Sequence, residues 1–78
     1  MKYPIIVPRT SDGALKVTIL RWIKNVGEDV RKGDDLVETK TEKITIYVSV
    51  PETGKVSEIL APVGQLVDVG EVIGYVEG

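Results

Sequence analysis

Neither cysteine nor histidine occurs in this chain. Disulfides are thereby excluded, and with them the usual Cys/His zinc sites and any Cys–His or Ser–His nucleophile arrangement. The lack of cysteine also fits a reducing compartment. Leucine and alanine are scarce, at five and two residues, against thirteen valines and eight isoleucines. That excess of β-branched over helix-forming side chains favours strands. Neither sign of charge dominates, because ten basic residues are scattered among twelve acidic ones for a net charge of −2. There is thus no electrostatic footprint for nucleic acid or an anionic membrane. No apolar run is long enough to span a bilayer, and the N-terminus carries no signal-peptide pattern. The expectation is a soluble, cytoplasmic chain, monomeric as an isolated domain, that binds neither nucleic acid nor membrane. Seventy-eight residues make one domain, 1–78, near the lower limit at which a single core suffices.

What is present is an internal repeat. Val26-Gly27, Val30, Gly33 and Leu36 reappear 37 residues later as Val63-Gly64, Val67, Gly70 and Ile73. Ile19, Trp22 and Ile23 line up with Val56, Ile59 and Leu60 at the same offset. Further upstream Val7-Pro8-Arg9-Thr10 matches Val50-Pro51-Glu52-Thr53, each followed by a glycine, and here the first half is six residues longer. Each half reads as strand, proline-containing bend, strand, glycine-rich turn region, strand, with Gly27 and Gly54 as turn glycines. One such half cannot bury its apolar face alone. Two packed face to face can, so the expected fold is all-β: a flattened β-barrel or sandwich of two antiparallel sheets, about four strands each, with quasi-twofold symmetry.

Within that frame one lysine stands out. Ile44, Ile46, Val48 and Val50 alternate with Thr45, Tyr47 and Ser49, which predicts a half-buried strand. Leu36-Val37-Glu38 predicts its partner, and the polar Thr41 and Glu42 mark a hairpin turn with Lys43 at its tip. A lysine on a stiff two-stranded stalk is well presented to an acylating enzyme. It also reads as an ordinary solvated turn lysine. At the 37-residue offset its counterpart is position 80, beyond Gly78, so the lysine hairpin and the two chain ends should occupy opposite poles. That is the geometry of a swinging carrier.

These residues resemble the lipoyl domain of the 2-oxo acid dehydrogenase complexes, within the wider biotinyl/lipoyl attachment family. Leu36-Val37-Glu38 leading to Thr41-Glu42-Lys43-Ile44 is similar to the family's hydrophobic strand, Thr-Asp-Lys-Ala turn and following strand. Arg21-Trp22 with Gly27-Glu28-Asp29-Val30 and Lys32-Gly33 resembles its Arg-Trp and Gly-Asp-x-Val-x-x-Gly segments, and Gly54, Gly64, Gly70 and Gly74 fit the glycines of its second half. The resemblance implies a barrel-sandwich hybrid whose Lys43, flanked by Glu42 and Ile44, carries lipoic acid through an amide. It implies modification by a lipoyl ligase or a lipoyl/octanoyl transferase. It further implies reductive acylation by a thiamine-diphosphate 2-oxo acid decarboxylase, delivery to an acyltransferase core for transfer to CoA, and reoxidation by dihydrolipoamide dehydrogenase. The domain itself would be a non-catalytic carrier. Three features depart from the pattern: the opening Val7-Pro8-Arg9-Thr10-Ser11-Asp12-Gly13, Lys40, and Ile44 where alanine is common.

Other readings stand beside this one. A biotin carrier shares the fold but flanks its lysine with methionines, and Met1 is the single methionine here. An unmodified adaptor module of the same fold lacks the lysine and inserts long helices at the hairpin. Lys40 reads as an exposed strand lysine, Trp22 as a packing residue or a recognition element, and Glu42 as a solubilising residue or a guide for the lipoylating enzyme. Asp34, Asp35, Glu38 and Glu42 form a loose acidic run of solvated surface, or one that steers a basic partner.

Overall fold

The β-branched runs form eight strands and no helix in the computed structural model, which describes all 78 residues. They are β1 (Lys2–Ile6), β2 (Lys16–Trp22), β3 (Asp29–Val30), β4 (Asp35–Lys40), β5 (Thr45–Ser49), β6 (Gly54–Ile59), β7 (Leu66–Asp68) and β8 (Val72–Glu77). Two four-stranded antiparallel sheets result, ordered β1-β8-β6-β3 and β5-β4-β2-β7. The expected sandwich is borne out.

The twofold repeat extends to the register. Ile5 pairs with Gly74 and Ile6 with Val72, just as Val48 pairs with Val37 and Ser49 with Asp35. The intervening Ile73 and Leu36 are bulged, so two successive residues of each strand are buried, Leu36 and Val37 in β4 and Ile73 and Gly74 in β8. One expectation differs from the structure. The halves do not pack face to face as separate layers, because each sheet takes two strands from each half. The loops after β1 and β5 carry the chain across to the other sheet. There Val7 exchanges backbone hydrogen bonds with Gly70 and Glu71, and Val50 does so with Gly33 and Asp34. These crossings also tie down the sheet edges.

Between the sheets lies a core of fourteen buried apolar residues, centred on Ile5, Ile19, Leu36, Ile73 and a set of valines. Burying each of these side chains is worth roughly 1.5–3 kcal/mol. Trp22 closes one side, its indole N–H donating to the Ala61 carbonyl at 2.7 Å. It is a half-buried packing residue.

Gly54 corrects a second expectation. It is not a turn glycine but the first residue of β6, with no positive φ. Its hydrogen is required because a Cβ there would collide with the Glu77 carbonyl of the neighbouring strand. Gly27, in contrast, does need the left-handed region, at φ 93°.

Candidate functional site

Strands β4 and β5 meet in a four-residue turn, Thr41–Ile44, with Lys43 exposed near its apex. The Thr41 N–H donates to the Ile44 carbonyl at 2.8 Å and closes the hairpin. No residue of the turn has a positive φ, which is why it needs no glycine. Instead Thr41 stabilises the turn through its side chain. Its Oγ1 accepts the backbone N–H of Lys43 at 3.1 Å and that of Ile44 at 3.0 Å. Ile44 is half-buried and Glu42 is exposed. Glu42 faces solvent without a side-chain hydrogen-bond or ion-pair partner. Lys43 itself enters none of the four ion pairs of the molecule.

The β1–β2 loop reaches the same pole. Within it the Gly13 N–H donates to the Thr10 carbonyl at 3.2 Å, and Gly13 adopts φ 73°. This turn points the Asp12 carboxylate at the lysine hairpin, where it accepts the Thr41 hydroxyl at 2.7 Å. Donation from the hydroxyls of Thr10 and then Thr41 holds the Asp12 carboxyl below its ordinary value. An open groove of about 390 Å³ runs beside Lys43, lined by Lys16, Thr18, Lys40 and Thr45. Lys16 is bound to Asp68 at 2.9 Å across β2 and β7, and that bond chiefly raises its pKa. Lys40, the last residue of β4, is exposed as expected.

On the outer face of the same sheet, Glu38 accepts from Arg21 Nε at 2.7 Å and from the Tyr47 hydroxyl at 3.2 Å. Glu38 therefore does not belong to a free acidic run. Its partners lie 17 and 9 residues away and become neighbours only through strand register. The sequence predicts Thr41 as a turn residue but carries no local sign of its bond to Asp12, 29 residues away. The six extra residues of the first half were the available signal.

The far pole holds the termini. The Gly78 N–H donates to the Met1 carbonyl at 2.9 Å, and the Met1 ammonium donates to the Gly78 carbonyl at 2.9 Å. The strand registers put this pair at the other end of a molecule 33 × 20 × 16 Å in extent. Met1 is thus remote from Lys43. The donor set at the hairpin fits amide attachment of a carboxylic acid: a solvated primary amine on a turn held from both sides, with no competing counterion. No group of His, Cys, Asp and Glu side chains suited to a metal ion is present. No helix is long and apolar enough to cross a membrane.

A family model described as "Biotin-requiring enzyme" matches residues 2–76. Curated relatives include the dihydrolipoyllysine-residue succinyltransferase component of the 2-oxoglutarate dehydrogenase complex of Bartonella vinsonii subsp. berkhoffii. It is 38% identical over 77 residues, which is 99% of this chain and 19% of the relative. The same component of Bacillus subtilis (strain 168) is 35% identical over 72 residues, 92% of this chain and 17% of the relative. The chain thus spans less than a fifth of the length of these two relatives. Among solved structures, the lipoyl domain of the 2-oxoglutarate dehydrogenase complex from Azotobacter vinelandii superposes with a TM-score of 0.75 at 27% identity. That match covers 96% of this chain and 95% of the other. Kluyveromyces lactis urea carboxylase superposes at 0.84, but at 19% identity and over 6% of its own length, so it speaks to the fold alone.

Proposed function

This chain belongs to the biotinyl/lipoyl attachment family, and on that premise we propose that it is a lipoyl carrier domain with Lys43 as its attachment residue. The observation that carries the reading is the exposed, unpaired Lys43 amine on a four-residue turn at the pole opposite the chain ends. In this role the chain does no catalysis. When bound, lipoate supplies a strained cyclic disulfide that opens under attack and takes up an acyl group.

The chain's own residues do three things. Lys43 offers its Nζ for amide formation and gives up its charge in doing so. Thr41 keeps the turn in one conformation by accepting the backbone N–H groups of Lys43 and Ile44. The two sheets hold hairpin and termini apart, so a chain continuing from Gly78 leaves the modified pole free. Tethering of this kind raises the effective concentration of the arm at a partner's active site, typically to the order of mM.

The partners of the reading are a lipoyl ligase or lipoyl/octanoyl transferase, a thiamine-diphosphate 2-oxo acid decarboxylase, an acyltransferase core and dihydrolipoamide dehydrogenase, in the cytoplasm. The curated relatives support 2-oxoglutarate as the acid and succinyl as the group carried. Biotin is the weaker choice, since Met1, the single methionine, sits at the wrong pole to flank the lysine. The unmodified adaptor is weaker too, because the hairpin has a short turn where such modules carry helices.

Intact mass spectrometry tests the assignment. Co-expression with a lipoyl ligase and lipoate should add one lipoyl increment to the wild-type chain and to Lys40→Ala, and none to Lys43→Ala. Co-expression with a biotin ligase and biotin should add nothing. Label persisting on Lys43→Ala, or a biotin increment, would overturn the reading.

A further inference from the structure

The twofold symmetry is broken by insertion at one loop. Val7 and Val50 are counterparts 43 residues apart, each exchanging hydrogen bonds with the equivalent glycine turn. Val17 and Gly54 are counterparts 37 residues apart, pairing with Val67 and Val30. The β1–β2 loop therefore has six residues for which the β5–β6 loop has no equivalent. Those residues supply Asp12.

Asp12 is also the one residue outside the β4–β5 hairpin that hydrogen-bonds to the lysine turn. The Thr41 hydroxyl has a single proton. It goes to Asp12 Oδ2 at 2.7 Å rather than to the Ile44 carbonyl at 3.4 Å, and a charged acceptor makes the stronger bond. With the proton committed, the lone pairs of Oγ1 face the N–H groups of Lys43 and Ile44. The second carboxylate oxygen of Asp12 accepts the Ala14 N–H at 3.2 Å, so the loop is itself held. At the opposite pole the backbone bond recurs between Gly78 and Met1, but Gly78 has no side chain to stand for Thr41, and although Thr53 of the β5–β6 loop lies beside it, no loop side chain hydrogen-bonds to it. Closing the sandwich therefore does not require the brace. It exists only where the lysine is.

We propose that Asp12 is a positioning residue for Lys43, acting through the Thr41 hydroxyl to hold the turn in the conformation that a lipoylating enzyme accepts. The inference rests on the carrier reading. Loss of the brace lets the turn sample other conformations, and the competent fraction falls. A reduced competent fraction raises the apparent dissociation constant in proportion.

The test compares wild type, Asp12→Ala, Thr41→Val and Thr41→Ser in steady-state lipoylation by a lipoyl ligase, with amide hydrogen exchange read at Lys43 and Ile44. Asp12→Ala and Thr41→Val should each raise KM by about three- to tenfold with kcat little changed. Exchange at the two amides should quicken by about tenfold. Thr41→Ser keeps the hydroxyl and should restore both values. Melting temperatures of all four should stay close, which separates positioning from folding. Wild-type KM and exchange in Asp12→Ala, or a Thr41→Ser as impaired as Thr41→Val, would overturn the positioning role alone. A wild-type chain that takes no lipoyl label would overturn the carrier reading, and this role with it.

Discussion

Gly78 donates its backbone N–H to the carbonyl of Met1 at 2.9 Å, so the first and last residues are closed by the bond that Thr41 and Ile44 make at 2.8 Å in the lysine turn. Glu42 and Lys43 complete the turn at one pole, and the paired Met1 and Gly78 stand in the equivalent place at the other. Residues 1 and 78 are thus held side by side at the pole remote from the lysine.

Joining the ends should therefore be unstrained. A chain cyclised from Gly78 to Met1 through a two-residue linker is expected to gain about 2–4 kcal/mol, because closing the loop removes entropy from the unfolded state. Urea denaturation of linear and cyclic forms measures it, and an unchanged midpoint would contradict the geometry.

Gly74 sits in β8 where a Cβ would collide with the Glu58 carbonyl and press on Ile5 Cδ1 at 3.2 Å and Trp22 Cη2 at 3.4 Å. Gly74→Ala should cost at least about 2 kcal/mol, since strand β6 must shift or the core must open. Gly13→Ala meets no atom within 4 Å and strains only a φ of 73°. Its cost should be about 1–2 kcal/mol. Denaturant midpoints for the two variants should fall in that order.

Trp22→Phe removes the 2.7 Å bond to the Ala61 carbonyl. Stability should drop by roughly 1–2 kcal/mol as an acceptor loses its partner and some apolar area is lost. Lipoylation should proceed at the wild-type rate, as befits a packing residue. A variant of normal stability that fails to be labelled would instead make Trp22 part of a recognition surface.

Acid should loosen the outer face of the β5-β4-β2-β7 sheet. The Arg21 guanidinium foremost, and the Tyr47 hydroxyl with it, hold the Glu38 carboxyl below its ordinary 4.5 against the opposing effect of desolvation. A depressed folded-state value means that Glu38 stabilises the fold fully above 4.5 and loses that contribution as pH falls through the lower, folded value. Glu38→Gln should melt below wild type at neutral pH, and the gap should close on the acid side of about pH 4.5. Added salt should narrow the neutral-pH gap, because the pair is exposed to solvent. A gap that persists at pH 2 would show that Glu38 acts through packing rather than charge.

The lysine turn was legible because two local signals coincide. Strict alternation from Ile44 to Val50 ends at a polar Thr41-Glu42, and only a hairpin reconciles the two. The twofold repeat was legible for the same kind of reason, since glycines at Gly27, Gly33, Gly64 and Gly70 all meet the same demand for positive φ at a fixed spacing. Gly54 was misread because its constraint is not local. The collision that excludes a side chain there comes from Glu77, 23 residues on in a neighbouring strand. Asp34, Asp35 and Glu42 are the solvated surface expected of the acidic run, but Glu38 departs from it, since nothing near it in the chain reports that Arg21 lies beside it.

Strand-forming composition, the doubled pattern and the exposure of Lys43 follow from residue type and spacing alone, because backbone preference and side-chain alternation act over a few residues. Three features came from the tertiary structure: the interlocking of the halves in both sheets, the Arg21–Glu38–Tyr47 cluster, and the reach of Asp12 to Thr41. Each joins groups that are distant along the chain. Such contacts depend on strand register and loop path, which only the packing of the shared core selects.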